Sequence, residues 1–328
     1  MTPAIRLALL ALAIAGCAAK TAAPPSEAAP KPEAGPLVVS PRSPYAIAIG
    51  PDHNIWFTEY QGSAIDMMTP SGAVTRFPIA PDGIAERLTA GPDGAMWFTD
   101  PRGNRIGRIA LDGKLKYVAL PTEGCGPTGI TFGADGFIYF SEHAANRIGR
   151  MTTEGVLTEF TLRPKSGPAE MAAGPDGAVY FLEDGGDRIG RISKDGTIRE
   201  YQIPTHGSIP SAIASGPEES IYFAELGAGK IGKLKIADGT IIEFPILPHG
   251  HPLGLAVGAD GNLWATIPGN HMIIRMTPTG NFTAYGSDPL KPSFIVGAQD
   301  GFVYFSEPNE RIGRISRDGA ITEFEVGK

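Results

Sequence analysis

Six acidic side chains recur at one place in a repeated pattern, and they are the first candidates for chemistry. They are Glu59, Asp100, Glu142, Glu183, Glu225 and Glu307, with Ile267 where a seventh would fall. Gathered on one rim, such carboxylates would hold a hard cation, Mg²⁺ or Ca²⁺, through oxygen ligands. Glu142, Glu183 and Glu225 are the metal-ligand candidates. The plainer alternative is that each acid caps backbone N–H groups or pairs with an arginine of its own unit, because a residue repeated in every unit usually serves the unit. No cofactor is required by the sequence; those two cations are the ones it would admit.

Departures from the pattern are more telling than the pattern. Tyr45, Glu86 with Arg87, and Glu170 interrupt a short segment that is otherwise small or neutral, and His143 directly follows Glu142. Tyr45, Glu86, Arg87 and Glu170 are ligand-binding candidates, and Glu86, Arg87, Glu170, His143 and His251 are the groups expected to point into a shared pocket. A histidine near carboxylates can act as general acid or base, which makes His143 and His251 catalytic candidates. His249 and His251 flank Gly250 ahead of Pro252. On a strand, two such imidazoles would share a face and could ligate a metal; on a Gly-Pro loop they are ordinary solvated groups. The bland alternative for the whole set is a water-filled channel lined with polar side chains. His53, His206 and His271 read as surface or turn residues.

The elements that must position these groups are legible from a repeat. An aromatic residue returns at Trp56, Trp97, Tyr139, Tyr180, Tyr222, Trp264 and Tyr304, a step of 40 to 42 residues. Ile65, Ile106, Ile148, Ile189, Ile231, Ile273 and Ile312 keep the same beat. Units of this length, rich in short apolar runs and Gly turns, predict an all-β, seven-bladed β-propeller of four-stranded antiparallel blades. One unit shows the reading. Pro127–Phe132 is the inner strand, Gly133-Ala134-Asp135-Gly136 a turn, Phe137–Glu142 the second strand, Arg147–Met151 the third and Val156–Leu162 the outermost. Alternation places Val156, Thr158, Phe160 and Leu162 on one face, expected to pack on the adjacent blade. The last unit keeps its own fourth strand, Ala320–Val326. The spare segment Pro36–Ser40 is expected to add along that edge or run beside it.

The chain's beginning reads as an address. Arg6 and the nine apolar residues Leu7–Ala15 are too short to span a bilayer as a helix. Ile14-Ala15-Gly16-Cys17 resembles a bacterial lipobox, which implies cleavage before Cys17 and acylation of that residue; several acyl chains anchor stably where one is marginal. The alternative is a secretory signal with a chance cysteine. Residues 1–16 are thus a lipoprotein signal peptide and 17–36 an Ala/Pro-rich, lipid-anchored tether. Residues 37–328 are the propeller. The expected location is the cell envelope, with Ala18 favouring the outer membrane where a cell has two. The composition, 42% apolar with 43 Gly and 30 Pro, is that of a turn-rich β protein. A net charge of −7 argues against nucleic acid as partner. Cys125 is the only cysteine beyond Cys17, and it reads as a small core or rim residue rather than a reactive thiol.

The repeated phrases carry a family resemblance. GPDGAMWFTD (91–100), ADGFIYFSEHAANRIGRM (134–151) and DGTIREYQIP (195–204) resemble blades of the virginiamycin B lyase family, over about residues 43 to 326. More distantly the chain is similar to NHL-type and sugar-lactonase propellers. The resemblance implies a seven-bladed propeller and a Mg²⁺-assisted elimination that opens the ester of a cyclic depsipeptide without water. It also implies a histidine after the Pro that opens the sixth inner strand, where this chain has Pro252-Leu253. A Glu-Pro-His-Gly-Ile run is implied in the seventh blade, where this chain reads Lys291-Pro292-Ser293-Phe294-Ile295. Glu307 matches a further acidic position and is a catalytic candidate on that ground; Ser293 is a ligand-binding candidate. Elimination needs a base and a cation. Ser293 is no base unaided, and Lys291 repels Mg²⁺. Two functional classes follow. One is a scaffold binding a small molecule, glycan or protein at the channel mouth. The other is a carbon-oxygen lyase or lactone- or ester-processing enzyme acting on a streptogramin B-type depsipeptide or a related ester, with carboxylates and His143 or His251 as its groups.

Overall fold

The computed structural model describes residues 43–60, 62–246 and 250–327. Within them the chain lays down seven four-stranded antiparallel sheets, each from four consecutive strands. The first comprises Pro44–Ile49, Ile55–Glu59, Ala64–Met68 and Val74–Pro78, running from the inner edge outward. Inner strands of successive blades pack on one another around a closed circle, the seventh against the first. This is the expected seven-bladed propeller. The last blade keeps Ile321–Glu325 as its own outer strand. Its junction with blade one is held by side chains: Ser306 Oγ donates to the Tyr45 carbonyl at 2.7 Å and Arg314 Nη1 to the Pro70 carbonyl at 3.2 Å. The predicted signal peptide, Cys17, the tether and the closing segment Pro36–Ser40 all lie outside the described residues.

The refrain in the sequence has a packing cause. In blades two to five and in blade seven the second strand carries a Phe whose ring lies against the Gly of the third strand; blade one has Asp66 at the Gly position, and blade six pairs Ala265 with Ile274. A Cβ on Gly107 would sit 2.1 Å from Phe98, and one on Gly149 2.1 Å from Phe140, so no other residue fits beneath the ring. The preceding aromatic is wholly buried and, in every blade but the fifth, hands its polar tip to the turn Asp. Trp97 Nε1 donates to Asp93 at 3.1 Å, and the Tyr139 hydroxyl to Asp135 at 2.7 Å. Turn, aromatic and glycine therefore recur together because they touch.

Blade three matches its reading closely: Pro127–Phe132, Ile138–Glu142, Arg147–Met151 and Leu157–Thr161. The outer-strand face is corrected. Phe160 and Leu162 pack with Val179 and Phe181 of the next blade, but Val156 is 68% exposed and Thr158 is exposed too. An outermost strand is an edge, and its residues find cover only where the neighbouring blade reaches them.

Candidate functional site

A bulge aims the rim residues. In blade one Pro44 pairs with Glu59 and Ile47 with Phe57, so Tyr45 and Ala46 both face Thr58. Two residues opposite one bend the strand and turn side chains into the channel mouth. The hydroxyl at the bulge satisfies the freed backbone and grips the next blade. Thr58 Oγ1 accepts the Ala46 N–H at 3.1 Å and donates to the Glu86 carbonyl at 3.3 Å. Thr99 does the same for Arg87 N–H and the Thr128 carbonyl. Ser306 closes the circle on Tyr45. Leu182 and Ala224 replace the hydroxyl in blades four and five.

In every blade but the third, the second bulge residue lines a cavity of about 260 Å³ in the channel. It is small in blades one, three, five and six (Ala46, Gly129, Ala212, Gly254) and large in the other three: Arg87, Glu170 and Phe294. Arg87 and Glu170 form an ion pair from blade two to blade four. The Arg87 guanidinium also sits 4.7 Å from the Tyr45 ring centre and 4.4 Å from that of Phe294. Those two rings meet edge-on at 4.7 Å, and Tyr60 tilts against Tyr45 at 5.5 Å. Burial alone would push the Arg87 pKa down; Glu170, with Tyr45 and Glu86, more than offsets it, so the guanidinium stays charged.

Glu86 is 9% exposed. Burial pushes its carboxyl up, Arg87 and His143 pull it down, and Glu170 pushes it up again. The His143 Nε2 lies 3.2 Å from Asp184 Oδ2. That bond raises the His143 pKa, burial lowers it, and Asp184 and Glu86 add to the rise. Tyr45, Glu86, Arg87, Glu170 and His143 thus stand together at the mouth. Two further members escaped the sequence reading. Phe294 was detectable as a bulky side chain where four blades carry Gly or Ala. Asp184 follows Glu183 as His143 follows Glu142, a parallel visible once the repeats are aligned.

The other candidates stand elsewhere. The exposed His251 has its Nδ1 2.8 Å from the Leu226 carbonyl of the preceding blade; His249 lies outside the described residues. Ser293 gives its carbonyl to Thr266 Oγ1 at 2.5 Å and its N–H to the Ser306 carbonyl. Glu307 is buried and accepts the Lys291 N–H at 2.9 Å; burial first, then neighbouring Glu323, pushes it up to about 7.

The repeated acids end their second strands but do not converge on a common centre. Glu59 takes Arg76 of its own outer strand through two bonds of 2.7 Å, Asp100 takes Arg105 at 2.7 Å, and Glu183 takes Arg188 at 2.9 Å. In blades three and five the nearby cation goes to a second acid: Arg147 to Glu159 and Lys230 to Glu243. Glu142 and Glu225 are left buried beside those acids, with burial as the main cause raising them to about 7 and about 8. Glu142, Glu183 and Glu225 lie in three separate blades. Among the described residues no three His, Cys, Asp or Glu side chains converge to hold a metal ion. The residues present do not fit Mg²⁺: the position the resemblance gives to a metal-binding carboxylate carries Lys291, whose N–H serves Glu307. Cys125 is buried, its thiol pushed up to about 12 by burial first, then by Glu142 and Glu159, with Sγ 3.3 Å from Asn104 Oδ1; a thiol so held is no nucleophile.

Comparison with known proteins fits this architecture. The virginiamycin B lyase family matches residues 33–251. The chain belongs to that family. Selenomethionine-substituted virginiamycin B lyase from Staphylococcus aureus superposes with a TM-score of 0.79 at 34% identity, covering 83% of this chain and 94% of that one. A catalytically inactive variant of the S. aureus enzyme with quinupristin gives 0.79 at 33%, covering 85% and 96%. Virginiamycin B lyase of Nocardia farcinica (strain IFM 10152) is 29% identical over 88 residues, which is 27% of this chain and 31% of that protein. The common stretch is thus about a third of that curated relative's length.

Proposed function

We propose that this family member is a ligand-binding scaffold at the cell envelope, with the channel mouth as its binding site for a small molecule or a protein. The observation that carries the reading is the pair of residues at two rim positions: Leu253 and Ser293 stand where the resemblance calls for imidazoles. Neither removes a proton near neutral pH without a base beside it. Lys291 adds an ammonium where a carboxylate would be needed.

Anchoring rests on the sequence alone: the apolar run Leu7–Ala15, Cys17 as the acylated residue, and the Ala/Pro-rich tether of residues 17–36, with Ala18 favouring the outer membrane. Growth with labelled palmitate checks it; label that survives Cys17→Ala rules it out.

The decisive assay incubates the full chain with a streptogramin B and Mg²⁺ and follows the linear product by mass spectrometry. The expected outcome is intact depsipeptide; turnover would sink the scaffold reading. A second reading draws support from His143, which Asp184 orients beside the buried Glu86. An oriented imidazole next to a carboxyl is an acid–base pair, so a carbon-oxygen lyase or a lactone- or ester-processing activity remains the alternative. Conversion in a panel of lactones and cyclic esters, lost in His143→Gln, would favour it.

A further inference from the structure

Three carboxylates stand at the mouth, and two are already engaged: Glu170 with Arg87, and Asp184 with His143. The third is not. Glu86 is 9% exposed, and its carboxylate makes no hydrogen bond or ion pair among the described residues. Its oxygens are not among the fully buried orphan atoms, so a mostly covered carboxylate without a donor of its own is still open to any cation that reaches the mouth. The charge balance points the same way: Glu86, Glu170 and Asp184 face only Arg87 and a histidine that is charged when protonated. The rings of Tyr45 and Phe294 already flank one cation, the Arg87 guanidinium, at 4.7 and 4.4 Å. Tyr60 extends that aromatic surface into solvent, 45% exposed.

We propose that the mouth receives an organic cation: an ammonium or guanidinium group on an apolar body, with Glu86 as its anchor and Tyr45, Tyr60 and Phe294 as its apolar wall. Carboxylate plus aromatic faces is the usual chemistry for holding such a group. The inference rests on the mouth being a binding site and adds what kind of ligand it takes. An anionic ligand would meet surplus negative charge, and a neutral one would leave Glu86 without a partner. Binding also has a proton signature. Arg87 and Glu170 face Glu86 from blades two and four, and His143 faces it from blade three with Asp184 behind. A cation arriving among them favours ionised Glu86, so protons leave on binding at mildly acid pH, and affinity falls as pH falls.

The test titrates the full chain by calorimetry with three probes that differ only at the polar end: benzylamine, benzyl alcohol and benzoate. Benzylammonium is expected to bind about tenfold or more tighter than benzyl alcohol, a difference set by one charge-assisted hydrogen bond, and benzoate not to bind. Glu86→Gln, nearly isosteric and checked for folding by its melting curve, should reduce benzylammonium to the level of the alcohol and abolish proton release measured across buffers. Benzyl alcohol binding as tightly as benzylammonium, or Glu86→Gln leaving benzylammonium binding unchanged, would overturn the proposal. If all three probes bind alike and Tyr45→Leu abolishes them all, the mouth remains a binding site and only the cation is rejected. Failure of every probe rejects the cation as well, whereas the depsipeptide assay independently judges the scaffold reading.

Discussion

Blades one to four and blades five to seven present their rim residues from the same kind of bulge, yet the two arcs differ in chemistry. The first arc carries Tyr45, Glu86, Arg87, His143, Glu170 and Asp184. The second offers Ser211, Ala212, Leu253, Gly254 and Ser293, with Phe294 leaning back toward Arg87. The bulge itself is shared, a pair of residues opposite one partner, and in blades one, two, six and seven the hydroxyl of that partner also grips the next blade's carbonyl. What it delivers depends only on side chains at two positions per blade. A propeller can therefore change the chemistry of one arc without touching the strands that hold the other.

The comparison is most sharply tested at Arg87. Arg87→Ala leaves the half-buried Glu170 without its cation and removes the nearest positive charge from Glu86, and should cost about 3 kcal/mol in urea unfolding. Arg87→Ala with Glu170→Ala together should recover part of that loss. The corresponding cut in the other arc, Leu253→Ala, should cost far less, since Leu253 is only half-buried; equal losses would erase the distinction between the arcs.

Other changes should show no such distinction. Gly149→Ala in blade three and Gly313→Ala in blade seven each push a Cβ to 2.1 Å from a Phe ring, and both should destabilise by about 1–3 kcal/mol. Smaller still, Thr99→Ala and Thr266→Ala each remove one hydroxyl that links two blades, at about 1 kcal/mol apiece. A large difference between either matched pair would mean that one arc is held together differently.

The smallest effect is a dependence on pH. Glu142 and Glu307 have their pKa raised to about 7 and Glu225 to about 8, so the folded state holds these protons more tightly than the unfolded chain does. Their contribution is fully present below the unfolded value of 4.5 and is lost as pH rises from there through about 7 to 8. Melting temperature should fall between about pH 5 and pH 8 and level off above, with roughly 1 kcal/mol at stake for each carboxyl after allowance for relaxation. Glu225→Gln should flatten part of that slope; a melting temperature that rises over the same window would contradict the sign.

Much of this was legible in the residues. The blade count, the strands of residues 127–161 and the rim departures at Tyr45, Glu86, Arg87 and Glu170 follow from a 41-residue beat and from noticing where it breaks. The repeated acids were less transparent. Their place at the end of each second strand is plain in the sequence, but the arginine or acid each one meets lies on the third or fourth strand of the same blade. Only pairing register brings Glu59 to Arg76 or Glu183 to Arg188.

By itself, the sequence determined that similar units must stack into a ring, because turn acid, aromatic and, in five blades, glycine are local partners within one unit. It also determined that the rim lacks imidazoles at Leu253 and Ser293. Only the tertiary structure decided which side chains share a neighbourhood: Arg87 with Glu170 is an encounter between residues 83 positions apart across the channel, and Phe294 reaches Arg87 from the last blade. Closing the ring sets those distances, and no periodicity along the chain encodes a meeting across its centre.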